Sequence, residues 1–301
     1  MLIKPRYESE ELKTLRCLND RMHLSTKDAT YYLNLEKGFS GEQEFDIWSE
    51  DLPDDWLILN DLLFEINNTV FQIDSALIDH QTIYLIEVKN YEGDFYIKDD
   101  KWYTLNKSEI KNPLLQLERN ETLFRQLLQE LRINATIKSY IIFINPNFQL
   151  YQAPINHSII FPTQLNRFKN KLSMKASKVK STNFKSVEQL LSVHLDVSPY
   201  KKLPSYEYDQ LEKGILCSEC HTIIDNVQEE ILVCARCGCI EGIESAILRS
   251  IVEYKILFPD RKITTSTIYN WCNGLKSKRT IRRVLFKNFK HMGINNASYY
   301  V

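Results

Sequence analysis

The chain has 301 residues, enough for two or three domains with their own cores, and a formal net charge of −1. The opening Met1-Leu2-Ile3-Lys4-Pro5-Arg6 has no apolar leader, and no apolar run approaches the roughly 18 residues a bilayer span needs, so a soluble, cytoplasmic protein without a membrane partner is expected. Seven cysteines, four of them in paired Cys-x-x-Cys units, fit metal binding in a reducing compartment rather than a disulfide framework.

Glu8 to Leu24 has helical spacing, with Leu12, Leu15, Leu18 and Met22 on one side. A second helix is predicted to start after Ser40, with Glu42, Phe45, Ile47 and Trp48 in its first turns, where Glu42 reads as a cap or dipole partner. Trp56 to Phe64 and Val70 to Ile78 read as strands, and His80-Gln81-Thr82 connects them tightly to a third, Tyr84 to Asn90. Strand side chains alternate faces, so Glu87 and Lys89 point one way while Ile86 and Val88 face the other layer. Asp74 on the preceding strand can stand beside Glu87. Two carboxylates and an ammonium make an oxygen-rich site for Mg²⁺ or Mn²⁺, with Lys89 to orient a water or steady phosphate charge. The competing reading is a salt bridge at the edge of the core.

Gly93 to Ile97 and Lys101 to Leu105 read as a hairpin turning at Lys98-Asp99-Asp100, with Trp102 in the core. Asn112-Pro113 opens a helix to about Leu131 whose apolar stripe is Leu114, Leu117, Leu123 or Phe124, Leu127, Leu128 and Leu131. Gln116 in its first turn either reaches the strand ends or is a solvated amide, and Arg119 and Arg125 either meet phosphates or are solvated. Ser139 to Ile144 and Ser158 to Phe161 are further strands, and the intervening helix implies a crossover in a mixed, partly parallel sheet.

Asp74, about a dozen residues, then Glu87-x-Lys89 on a strand resembles the core of the PD-(D/E)XK nuclease superfamily. The wider pattern resembles the nuclease-related domain (NERD) family. It comprises Lys37-Gly38-x-x-Gly41-Glu42, Ile73-Asp74, Ile86-Glu87-Val88-Lys89-Asn90, Gly93, Trp102 and Asn112-Pro113-x-x-Gln116, in that order. The resemblance implies an α/β fold, a restriction-endonuclease-like mixed sheet flanked by helices. It also implies that Glu42 joins the metal site from the helix and that Gln116 takes part in it.

Charge is divided unevenly. Residues 38–100 carry sixteen acids against two bases, and residues 244–301 carry eleven bases against three acids. The C-terminal end is therefore expected to bind a polyanion, and the acidic part to need a cation before it can approach one. Asn166 to Lys185 is basic too, with Arg167, Lys169, Lys171, Lys175, Lys178, Lys180 and Lys185, and either tracks a phosphate backbone or is a solvated helix and linker.

Cys217-x-x-Cys220, thirteen residues, then Cys234-x-x-Cys237 predicts two knuckles closing a structural Zn²⁺ site. Ile223-Ile224 and Ile231-Leu232-Val233 are expected to form its hairpin, with Cys239 and His221 as spare ligands and Cys17 and Cys272 as buried apolar residues. A redox pair is the rival reading. Glu244 to Phe258 is a helix, Thr265 to Cys272 a short one, and Ser277 caps a third running to about His291. Its apolar face is Ile281, Val284, Leu285 and Phe289. Lys278, Arg279, Arg282, Arg283, Lys287 and Lys290 are the candidate nucleic-acid contacts of a helix-turn-helix-like module. The rival is a charged bundle that only supports the ribbon.

The expected organisation is an N-terminal helical segment (1–35), a NERD nuclease-like domain (36–165), a basic helix and linker (166–210), a zinc ribbon (211–241) and a basic helical module (242–301). The expected function is metal-dependent hydrolysis of nucleic acid, DNA first, by Asp74, Glu87, Lys89, Glu42 and Gln116. The alternatives are a nucleic-acid-binding protein on a nuclease scaffold that does not turn over, and a protein-interaction adaptor using the ribbon.

Overall fold

The structure is a computed structural model that describes residues 1–156, 158–175, 180–294 and 298–301; Lys178 lies outside the described residues. The chain forms two compact units. One comprises Met1–Glu8 and Asn34–Tyr200, the other Ser9–Leu33 and Lys201–Val301. Among the described residues no helix is long and apolar enough to cross a membrane.

The chain begins with β1 (Leu2–Lys4), α1 (Glu10–Arg21) and α2 (Thr26–Glu50). The first unit then runs β2 (Leu57–Ile66), β3 (Thr69–Ile78), β4 (Thr82–Lys89), β5 (Gly93–Lys98), β6 (Lys101–Thr104), β7 (Glu109–Ile110) and α3 (Pro113–Glu130). It ends with β8 (Thr136–Phe143), β9 (Phe148–Tyr151), β10 (Ile159–Ile160), α4 (Leu165–Lys175) and α5 (Ser181–Ser192).

A six-stranded mixed sheet in the order β1-β2-β3-β4-β8-β10 forms its centre. β2, β3 and β4 are antiparallel neighbours, whereas β4 pairs β8 in parallel after the crossover through α3. Alternation splits the side chains between two apolar layers. Leu85 packs with Phe64, Phe124, Leu128 and Leu190 on one side, and Tyr84, Ile86 and Val88 with Phe45, Trp56 and Phe168 on the other. A second sheet, β7-β6-β5-β9, buries Trp102 against Phe143. Its β5–β6 turn places Asp99 and Asp100 at φ 50° and 59°, the left-handed pair a two-residue hairpin requires.

Some elements differ from expectation. The helix predicted to start after Ser40 begins at Thr26, where the Ser25 hydroxyl accepts the Asp28 N–H at 3.1 Å. Glu42 therefore lies deep in the helix, which removes its reading as a cap or dipole partner. The three-residue strand β1 is too short to show a period, yet it pairs in parallel with β2.

The second unit contains β11 (Ile215–Leu216), β12 (Ile223–Ile224), β13 (Val227–Gln228), β14 (Ile231–Val233) and β15 (Ile240–Gly242). They are followed by α6 (Ile243–Leu257), α7 (Thr265–Trp271), α8 (Lys278–Asn288), β16 (His291–Met292) and β17 (Tyr299–Tyr300). The expected hairpin between Ile223-Ile224 and Ile231-Leu232-Val233 does not form. β12 pairs β11, and β14 pairs β13 and β15, so each cysteine knuckle closes a hairpin of its own. β16 and β17, which the sequence does not announce, follow α8 as an antiparallel pair. Arg21 on α1 is fully buried here, bound to Glu253 at 2.5 and 2.6 Å and lying 4.1 Å from the Trp271 ring centroid.

Candidate active site and zinc centre

β4 carries Glu87 and Lys89 to the end of the sheet on the side covered by α3. The Lys89 Nζ donates to Glu87 Oε1 at 2.6 Å and to Gln116 Oε1 at 3.1 Å, and Gln116 Nε2 donates to the same Glu87 oxygen at 2.5 Å. Gln116 is aimed there because Asn112 caps α3, its side chain accepting the Leu114 N–H at 2.9 Å, with Pro113 in the first turn. One turn later Asn120, which no motif in the sequence marks, donates to the Gln72 carbonyl at 3.0 Å and approaches Glu87 Oε2 at 3.5 Å.

Asp74 sits on β3. Its Oδ2 accepts the Val88 N–H at 2.8 Å, so the carboxylate is held at the strand that carries Glu87. The β3–β4 ladder ends at Ser75↔Ile86, the pair next to Asp74 and Glu87. Across β2, side-chain alternation resets at this level: Leu59 and Leu62, like Ile73 and Ala76, share one layer, and Asp61 between them has φ 54°.

Glu42 comes from α2. That helix buries Gly41, Phe45 and Ser49, one residue per turn, against the sheet. Asn90, at the end of β4, donates to the Lys37 carbonyl at 2.9 Å and accepts from Asn145 at 2.9 Å. The Lys37-Gly-x-x-Gly-Glu stretch thus docks on Asn90 and leaves Glu42 near Asp74. The Glu42 carboxylate meets Arg6 Nη1 at 2.6 Å, a partner that the sequence does not reveal either. Of the remaining helix residues, Arg125 pairs with Glu121 at 2.6 Å.

The electrostatics are those of a buried anionic cluster. Burial pushes the Glu42 carboxyl up to about 8, the charge of Asp74 adds to this, and Arg6 pulls it back. Burial and then Asp74 push Glu87 up to about 7 against the pull of Lys89 and Asn120. Asp74 is also raised, by burial, despite Lys89 and the Val88 N–H. Burial draws Lys89 down, but Glu87 and Asp74 outweigh it and the ammonium is raised. An all-oxygen donor set with too little positive charge suits a hard divalent cation. In the structure Glu42, Asp74 and Glu87 are each turned to an internal donor. Among the described residues only Cys217, Cys220, Cys234 and Cys237 have ligating atoms all within 4.8 Å of one another.

The cysteine cluster is regular. Sγ of Cys217 lies 3.6 Å from that of Cys237, and Sγ of Cys220 lies 3.5 Å from that of Cys234. Both knuckles close alike. The His221 N–H bonds to the Cys217 carbonyl and the Gly238 N–H to the Cys234 carbonyl, with φ 57° at His221 and 75° at Gly238. Four thiolates so gathered fit Zn²⁺. The spare ligands face elsewhere, Cys239 to Ser218 at 3.5 Å and His221 to Asp20 at 2.6 Å.

Residues 37–144 match the model of the nuclease-related domain family. This segment is a nuclease-related domain. The NERD segment contains Glu42, Asp74, Glu87, Lys89 and Gln116, and as a PD-(D/E)XK-like domain it accounts for the mixed sheet flanked by helices. A nuclease-related domain implies a divalent metal and contact with nucleic acid. A crystal structure of protein VC1899 from Vibrio cholerae is similar at 12% identity over 51% of this chain and 36% of that chain, with a TM-score of 0.24. No curated protein matches the chain.

On α8, three of the six candidate nucleic-acid contacts have partners in their own unit. Lys287 pairs with Glu244 at 2.8 Å, Arg283 with Glu230 at 3.5 Å, and Lys278 lies 5.3 Å from the Tyr269 ring centroid. Arg279, Arg282 and Lys290 are exposed, and so is Phe286 beside them.

Proposed function

We propose that the chain is a metal-dependent nuclease that hydrolyses phosphodiester bonds of nucleic acid, DNA first, in a reducing cytoplasm. The observation that carries this reading is the constellation of Asp74, Glu87 and Lys89 on neighbouring strands of a nuclease-related domain, tied together by Val88 and Gln116.

Asp74 and Glu87, joined by Glu42, would hold Mg²⁺ or Mn²⁺. The bound ion would supply Lewis-acid activation of water and neutralise phosphate charge. Lys89 remains protonated between its two carboxylates and donates to the attacking water or to a non-bridging oxygen as charge develops there. Gln116 and Asn120 fix the orientation of Glu87, and Gln116 also aims Lys89. The four-cysteine centre would hold structural Zn²⁺. Arg279, Arg282 and Lys290 would supply salt-sensitive affinity for the phosphate backbone, with Lys278, Arg283 and Lys287 contributing once their internal pairs open.

A second reading, a nucleic-acid-binding protein without turnover, is favoured by one observation. Glu42 is already paired with Arg6, and Glu87 with Lys89. A panel of plasmid, linear and branched DNA and of RNA, incubated with and without Mg²⁺ or Mn²⁺, separates the two. The nuclease cuts at least one substrate only with metal. Binding without cutting of any substrate favours the second reading.

A further inference from the structure

Arg6 follows the short strand β1, in a stretch with no periodicity. Its side chain is 3% exposed, so it touches no substrate. The guanidinium nevertheless directs four hydrogen bonds into the candidate site. Nη1 donates to Glu42 Oε2 at 2.6 Å, Nε and Nη2 grip both oxygens of Asp46 at 3.0 and 3.1 Å, and Nη2 also donates to the Asp74 carbonyl at 2.8 Å. Two residues earlier, Lys4 Nζ donates to the Asn60 and Asp61 carbonyls at 2.9 and 2.8 Å and pins β1 beside the same stretch of β2.

We propose that Arg6 is a positioning residue for the divalent cation, a fork that fixes Glu42 of α2 beside Asp74 of β3. The inference rests on the reading of Glu42 and Asp74 as metal ligands. The two-toothed grip on Asp46, one helical turn beyond Glu42, locks the guanidinium plane to α2. The bond to the Asp74 main chain locks the same plane to β3. With both made, the remaining arm holds Glu42 where it faces Asp74. Without the fork, Glu42 and Asp46 lose the cation that pairs with both, and repulsion from Asp74 turns Glu42 outward. A lysine cannot replace it, because a single ammonium does not present a planar set of donors to four acceptor atoms. Residues that orient metal ligands in this way typically set about 10–100-fold in metal affinity.

The test is the Mn²⁺ affinity of the full-length protein without nucleic acid, read from the electron paramagnetic resonance signal of free Mn²⁺. The variants are Glu42→Gln, Arg6→Met, Arg6→Lys, Asp46→Asn and the Arg6→Met/Glu42→Gln double variant, each checked for folding by circular dichroism. Arg6→Met and Arg6→Lys are expected to weaken Mn²⁺ binding by about 10–100-fold. The double variant is expected to bind no worse than Glu42→Gln alone, because Arg6 acts through Glu42. Asp46→Asn, which loosens the grip and leaves Arg6 in place, is expected to weaken binding in the same direction. It carries the test if the Arg6 variants do not fold. Wild-type affinity in the folded Arg6 and Asp46 variants, with Glu42→Gln impaired, overturns the role of Arg6 alone. Equal affinity of wild type and Glu42→Gln, or no binding by either, overturns the metal-site reading and this inference with it.

Discussion

Gly41 and Asn90 stand so close that a Cβ added to Gly41 would lie 2.4 Å from the Asn90 Cβ. This approach joins α2 to the end of β4 and sets how near Glu42 comes to Asp74. Gly41→Ala is therefore expected to cost about 1–3 kcal/mol in urea unfolding, as overpacking does, and to lower cleavage. Gly38, one turn earlier in the same helix, has nothing within 4 Å of its notional Cβ, and Gly38→Ala is expected to be neutral or stabilising by up to about 1 kcal/mol. Equal effects at the two glycines would show that the close approach does not matter.

The raised carboxylates predict an unusual pH dependence. Glu42 and Glu87 are shifted from the ordinary 4.5 up to about 8 and about 7. Between those limits the folded state keeps protons that the unfolded chain releases. Their contribution therefore makes the metal-free protein less stable as pH rises from about 4.5 to about 8, and levels off above that. A divalent cation binds the ionised carboxylates, so the gain in Tm on adding Mg²⁺ is expected to grow across the same window. Glu87→Gln should flatten the metal-free decline. A decline of unchanged steepness in that variant would place its origin elsewhere.

For the zinc centre, metal analysis is expected to give about one Zn²⁺ per chain, lost in Cys217→Ser or Cys234→Ser and kept in Cys239→Ser. Removing the zinc should unfold β11 to β15, whose small hairpins have little core of their own. Zinc loss in Cys239→Ser would mean that the four ligands are wrongly chosen.

On α8, Arg279→Ala and Arg282→Ala are each expected to weaken DNA binding. Each should also lower the slope of log affinity against log salt concentration by about one, the share of a single neutralised phosphate. Lys287→Ala should do less, because its ammonium is already paired with Glu244. The reverse order would move the binding face to the α6 side of the helix.

Much of this arrangement is legible in the residues themselves. Alternation places Glu87 and Lys89 together, the tight connection makes β3 and β4 neighbours, where the Asp74 carboxylate accepts the Val88 N–H, and Asn112-Pro113 marks the start of α3. What escapes reading depends on long-range contacts without a local period. Arg6 follows a strand of three residues, and its acceptors lie 36 to 68 positions away. Asn120 is an ordinary helix residue until Gln72 and Glu87 are brought to it. The first half of α2, from Thr26 to Phe39, has no clean apolar stripe, so the sequence places its start late. The pairing of the ribbon hairpins is hidden for a different reason: two-residue strands carry apolar character but no register.

Whether Asp74, Glu87 and Lys89 form a divalent-dependent phosphodiesterase site is decided by Mn²⁺-dependent cleavage of a labelled DNA. Wild type is compared with Asp74→Ala and Lys89→Ala at matched folding and matched DNA binding. Cleavage by wild type is expected to vanish without Mn²⁺ and to be lost in both variants. Cleavage retained in both, or cleavage that does not depend on the metal, would contradict the assignment.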